Sequence, residues 1–154
     1  MAHATLIGLH AASGAVALLA GLFAHRGRAL FAGFLWALVA SIALLAAAVV
    51  EEWGRLDAAS RVLFVAFVVL GAYMIGRVVR ARPIQPAGDR PSAAYVSHVG
   101  FTVVGLFDAF AVITVLNVGA PVAAVVGAGV LVAIAGHFAI RAVLARLAPA
   151  MATG

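Results

Sequence analysis

The sequence predicts an all-α polytopic membrane protein, a single domain built as a bundle of five transmembrane helices. Its composition is 66% hydrophobic and 10% charged, whereas a soluble domain has ~45–50% and ~25%. Five apolar stretches, at residues 4–24, 29–50, 60–80, 95–117 and 120–146, are each long enough for the ~20 residues that cross a ~30 Å hydrocarbon layer. Most charged residues lie between these stretches, where a membrane protein meets water.

The arginines predict the orientation of the chain. Eight of the ten fall at alternate ends of successive spans, and therefore on one face of the bilayer: Arg26, Arg28, Arg77, Arg80, Arg82, Arg90, Arg141 and Arg146. Arg55 and Arg61 lie on the other face, beside three acidic residues. The positive-inside rule then places the N-terminus outside and the C-terminus in the cytoplasm, for a multi-pass protein of the plasma (inner) membrane.

The residues that flank the first three spans predict how these helices begin, end and connect. No arginine precedes the first span, so it is expected to be a retained helix with an exported N-terminus rather than a signal peptide. The basic turn at 25–28 joins it to the second span, in a tight antiparallel hairpin. Glu51 and Glu52 close the second span, with Trp53 as an interfacial anchor. The third span runs back to the arginine-rich face.

A linker over residues 82–92 separates these three helices from the last two. It holds three of the five prolines (Pro83, Pro86 and Pro91), and proline disfavours helix at itself and at the preceding residue. We therefore expect the linker to be extended and cytoplasmic. The fourth and fifth helices are divided by Gly119 and Pro121, a helix stop followed by a proline at the next helix start.

Missing residue types exclude several chemistries. The chain has no cysteine and no lysine, which rules out disulfides, thiolate metal sites, a P-loop and a lysine Schiff base. No hydrolase or transferase motif is present, so enzymatic activity stays undecided. The net charge of +5 flanks apolar spans, which favours anionic lipid headgroups as partners and not nucleic acid.

Small residues predict where helices approach each other. Ser13, Ala17 and Gly21 recur every fourth residue on the first helix, a spacing that lets a neighbouring backbone come close. Glycines also recur on the last two helices, at positions 100, 105, 127, 129 and 136. They indicate either tight helix contact or room for a flat cofactor.

His98 and His137 are one candidate site. By residue count each lies ~5–6 Å inside the same membrane boundary on consecutive antiparallel helices, which would suit two axial ligands of a b-type haem. Arg77, Arg80 and Arg141 would then bind the propionates. The alternative is that both histidines bond to water or lipid headgroups near the boundary.

His10 and Asp108 are a second candidate site, because their depths differ by ~5 Å and Ser13 is one turn from His10. A carboxyl in hydrocarbon keeps its proton unless a cation or donor faces it. The group could form a proton or small-ion pathway or a quinone-binding corner. The alternative is a single interhelical hydrogen bond, worth ~0.6 kcal/mol on average.

Two stretches, residues 9–21 and 95–108 with Gly119 to Pro121 after the second, resemble small uncharacterised bacterial integral-membrane proteins of the actinobacterial type. The resemblance implies a small membrane bundle and carries no activity. The leading interpretation is a non-catalytic or accessory subunit of a membrane assembly, held by a partner protein or by self-association. The alternatives are a b-type haem electron-transfer protein, with or without quinone as its redox partner, and a proton or small-ion pathway.

Overall fold

A computed structural model describes residues 2–86 and 90–147, and the part of the chain it describes is helical, without strands. The helices are α1 (Ala2–Phe23), α2 (Arg28–Glu52), α3 (Ala58–Ala81), α4 (Ala93–Asn117) and α5 (Val122–Leu147), with short 3₁₀ turns at Ala24–Arg26 and Arg82–Ile84. The predicted linker thus begins with a 3₁₀ turn before an irregular stretch. Its residues 87–89 lie outside the described residues.

All five helices are long and apolar enough to cross a membrane. Each offers a candidate span of 24–26 residues, with mean hydropathy between 1.9 and 2.4. The prediction of an all-helical fold with five potential membrane spans is therefore confirmed. The orientation of the termini and the identity of the membrane stay predictions.

The helices fall into two compact units, Met1–Val79 and Arg80–Gly154. The division comes just before the linker predicted at 82–92, so the first unit holds α1, α2 and most of α3, and the second holds α4 and α5. That the two units form the single domain predicted from the sequence stays a prediction.

In the first unit, α1 packs antiparallel to α2, and the buried residues of α1 are small whereas most of those of α2 are larger. The buried positions of α1 are Gly14, Ala17, Gly21 and, in the 3₁₀ turn after it, Ala24. Those of α2 are Phe31, Phe34, Leu38, Ser41, Ala48 and Val49. Spacings of three, four and seven residues put the α1 set, and the α2 set apart from Val49, each on one helix face. The small face of α1 allows the close approach.

The start of α3 is fixed by polar contacts at the Glu51–Glu52 end of the first unit. The Asp57 carboxylate accepts hydrogen bonds from the Ser60 backbone N–H at 2.8 Å and the Ser60 hydroxyl at 3.2 Å, as an N-cap does. Arg61 Nε donates to the Trp53 carbonyl at 3.1 Å, and its guanidinium lies 5.4 Å from the Trp53 ring centre. Farther along, Gly71 of α3 lies against Ile42 of α2.

In the second unit, α4 and α5 form an antiparallel pair. Ser92 caps α4 by accepting the Tyr95 N–H at 3.2 Å, and the chain turns at Gly119, whose φ of +75° favours glycine. A row of residues four apart on α4, at positions 100, 104, 108 and 112, faces α5: Gly100 meets Ile140, Val104 meets Gly136, and Val112 meets Gly129. The glycines at 100, 129 and 136 thus serve close helix contact, one of the two roles predicted for them.

Candidate polar sites in the membrane helices

His10 of α1 is held by Ser41 of α2, deep in the first unit. Nδ1 of His10 lies 2.8 Å from the Ser41 carbonyl oxygen and 3.0 Å from Ser41 Oγ. The Ser41 hydroxyl is in turn 3.1 Å from the His10 carbonyl oxygen, as donor. Ser41 is 1% exposed, so this group joins the two helices in surroundings with little water to compete. His10 therefore has a structural role within the hairpin.

Ser13 bonds to its own helix. Its hydroxyl donates to the Leu9 carbonyl at 2.7 Å and to the His10 carbonyl at 3.0 Å, the back-bonding typical of serine in a helix. Asp108 belongs to the other unit. The network predicted among His10, Ser13 and Asp108 stays a prediction, and Ser41 is the partner of His10 that sequence reasoning missed.

Asp108 lies on the face of α4 that meets α5, one turn from Val104 and one from Val112. A methyl group placed on Gly129 of α5 would lie 3.5 Å from Asp108 Oδ1, so the carboxyl is packed against the glycine backbone of the neighbouring helix. Oδ1 is buried and accepts no hydrogen bond from the described residues. A carboxyl oxygen in that position within a membrane span is costly and is a functional candidate by default.

His98 and His137 both belong to the second unit, where the contacts of α4 with α5 fix their relative level. Gly100 opposes Ile140 and Val104 opposes Gly136, so His137 is level with residue 103 of α4. His98 is five residues from that level, or ~7–8 Å along the helix axis. The side chain of His137 is exposed and edge-on to Phe138, with 5.7 Å between ring centres.

These positions bear on the predicted haem. Axial ligation needs both imidazoles at one level on opposite sides of the porphyrin, whereas the helix contacts stagger the two histidines. Haem ligation stays a prediction, and a dithionite-reduced spectrum of protein made with ample haem decides it: a Soret band would support it, and its absence would exclude it.

The arginines predicted to bind propionates lie in different settings. Arg77 Nη1 donates to the Tyr73 hydroxyl at 3.2 Å, and its guanidinium carbon is 5.8 Å from the Tyr73 ring centre. Arg80 and Arg141 are exposed near the ends of α3 and α5. Such placement suits contact with lipid headgroups as well as with a cofactor.

A polar cluster that sequence reasoning missed lies where α1 begins and α2 ends. His3 Nδ1 is 3.9 Å from Glu51 Oε2 and 3.9 Å from Glu52 Oε1, and Arg55 Nη1 donates to Glu52 Oε1 at 2.9 Å. The signal was available, because an antiparallel hairpin brings the start of the first helix beside the end of the second.

No protein-family model matches the chain, and no curated protein or solved structure shows significant similarity to it.

Proposed function

We propose that this chain is a small, non-catalytic subunit of a membrane assembly, embedded in the plasma membrane with its arginine-rich face in the cytoplasm. The observation that supports this most is the use of the polar groups in the first unit. At the centre of the α1–α2 pair, the side chains of His10 and Ser41 form hydrogen bonds with each other and with backbone carbonyl groups. Polar groups used in this way hold helices together and leave little chemistry for a substrate.

The helix surfaces also suit a protein that works among other membrane helices. No residue of α5 is buried, and Trp36 of α2 is 69% exposed. Gly33 and Gly76 have open space where a side chain would stand. Small residues on an open helix face let another membrane helix come close, so these positions are compatible with a partner protein or a second copy.

Purification from native membranes in a mild detergent tests the proposal. We expect the tagged chain to elute at a mass well above its own 15.6 kDa plus detergent, together with a second membrane protein or further copies of itself. Crosslinking in intact membranes before solubilisation guards against dissociation by detergent. A single copy in both measurements would contradict the proposed role.

A second candidate function is a proton or small-ion pathway through Asp108. It is favoured by the buried Oδ1 that accepts no hydrogen bond from the described residues. Such a carboxyl can take up and release a proton without first breaking a contact inside its own helix pair. His10, predicted as its relay partner, has Nδ1 engaged by Ser41, which leaves Nε2 for any transfer.

We expect the apolar reagent dicyclohexylcarbodiimide to label Asp108 covalently, because it reacts with a protonated carboxyl in apolar surroundings. Intact-mass and peptide analysis would show one adduct in α4, lost in Asp108→Asn. A water-soluble carbodiimide is the control and should label Glu51 instead, which is 37% exposed. A pathway further requires proton flux in proteoliposomes that labelling abolishes. Unlabelled Asp108, or flux unchanged in Asp108→Asn, would exclude it.

A further inference from the structure

A cavity of about 190 Å³ lies in the first unit, at the end where α1 begins and α2 ends. Its walls are apolar, formed by Ile7, Leu45, Ala48, Val49, Leu56 and Phe64. Its polar lining comes from His3 and Glu52. The cavity is open on one side, where Ile7 is 40% exposed. An apolar pocket with a few convergent polar groups is the usual form of a small-molecule site.

The polar pair leaves room for one bridging atom. His3 Nδ1 is buried and makes no hydrogen bond with the described residues, and at 3.9 Å from Glu52 Oε1 it is too far to bond that oxygen directly. An oxygen atom ~2.8 Å from each would bond both. A hydroxyl suits this position, because it can accept from an Nδ1–H and donate to the carboxylate.

Glu52 can receive this hydroxyl although Arg55 already donates to the same oxygen, since each carboxylate oxygen accepts more than one hydrogen bond. Arg55 is 81% exposed, and such a surface pair is weak, so it leaves the Glu52 carboxylate able to accept the hydroxyl.

The volume sets the size of the occupant. An engineered apolar cavity of ~150 Å³ takes up benzene, so about 190 Å³ accommodates one six-membered ring with a small substituent. Phe64 in the wall gives an aromatic ligand a ring to pack against. We infer that this cavity binds a single-ring phenol, with the ring among the apolar side chains and its hydroxyl between His3 and Glu52.

Binding of 4-fluorophenol to the purified full chain in detergent, followed by ¹⁹F NMR, tests the inference. We expect a saturable shift that unlabelled phenol reverses. Fluorobenzene, which lacks the hydroxyl and so both hydrogen bonds, should bind at least about tenfold more weakly, since even one net hydrogen bond of ~1.4 kcal/mol is a factor of ten. A shift that never saturates would reflect partition into the micelle and would overturn the inference.

Two variants locate the binding. Ala48 lines the cavity and is 2% exposed, so Ala48→Leu should fill it and weaken 4-fluorophenol binding at least tenfold. The neighbouring Ala47 is exposed, and Ala47→Leu is the matched control that should leave binding unchanged. Equal binding by both variants would overturn the proposed location.

If Ala48→Leu does not fold, the His3→Ala variant tests the binding site instead. This variant is expected to fold, because His3 lies in the first turn of α1 and 43% of its side chain is exposed. His3→Ala should reduce the preference for 4-fluorophenol over fluorobenzene, because the hydroxyl keeps only its bond to Glu52, and an unchanged preference would overturn the inference. The source of a natural ligand is resolved by competition. If hydroquinone and phenol displace 4-fluorophenol equally well, the natural ligand is a free phenol. If decylhydroquinone displaces it much more strongly, the natural ligand is a ring that carries a lipid tail.

Discussion

Replacing Gly136 by alanine is expected to destabilise the α4–α5 pair by ~1–3 kcal/mol, the usual cost of overpacking. A methyl group on Gly136 would lie 2.7 Å from Val104 Cγ2 and 3.0 Å from its Cβ, and closer still to Cγ1. Valine in a helix has one strongly preferred rotamer, so it cannot swing aside. The two helix backbones would have to separate.

Unfolding of the purified protein in mixed micelles, by titration with sodium dodecyl sulfate, measures this effect. Gly127 of the same helix has open space around it, so Gly127→Ala is the matched control and should be neutral or mildly stabilising. Val104→Ala should partly rescue Gly136→Ala, because it removes the two methyl groups but keeps the Cβ at 3.0 Å. If Gly136→Ala and Gly127→Ala unfold at the same midpoint, the predicted contact between α4 and α5 does not exist.

The five helices could be predicted from composition because apolar runs of membrane-spanning length are rarely anything else. Their ends were harder to place. The fifth helix begins at Val122 rather than at the predicted residue 120. Val118 and Gly119 form the turn, and Ala120 and Pro121 lie between it and the first helical residue. These shifts follow the local turn geometry, which hydropathy does not report.

The packing face of α1 was predicted one residue off at its start. A strict four-residue repeat from Ala17 and Gly21 leads back to Ser13, but Gly14 is the buried position. A helix has 3.6 residues per turn, so a contact face alternates spacings of three and four. The buried series 14, 17, 21 and 24 follows that alternation, and Ser13 turns instead toward its own backbone.

The polar sites were predicted by depth, and depth leaves two properties open. It does not give direction around the helix: His137 follows Gly136, which meets α4, and is turned ~100° from it. The prediction also paired only ionisable residues with each other, whereas the hydrogen-bond partner of His10 is the hydroxyl and carbonyl of Ser41. Ser41 could have been found by counting back along the hairpin from its basic turn.

Replacing Ala17 by leucine is expected to open the α1–α2 pair, at a cost of ~1–3 kcal/mol or more. Ala17 and Phe34 are each 0% exposed. Because His10 is bonded to Ser41 in an antiparallel pair, counting seven residues along each helix places Ala17 level with Phe34. Three additional carbons on Ala17 have no space there unless α1 moves away from α2.

That movement would also break the polar contact two turns away. We therefore expect Ala17→Leu to lower the unfolding midpoint in detergent and to change the ¹⁵N shifts of the His10 imidazole, which report its hydrogen bond to Ser41. Ala12→Leu is the matched control, because Ala12 is exposed on the same helix and should tolerate leucine. Each hydrogen bond between His10 and Ser41 that is lost adds ~0.6 kcal/mol on average to the packing cost. An Ala17→Leu variant as stable as Ala12→Leu would mean that the small face of α1 does not determine how closely the two helices approach.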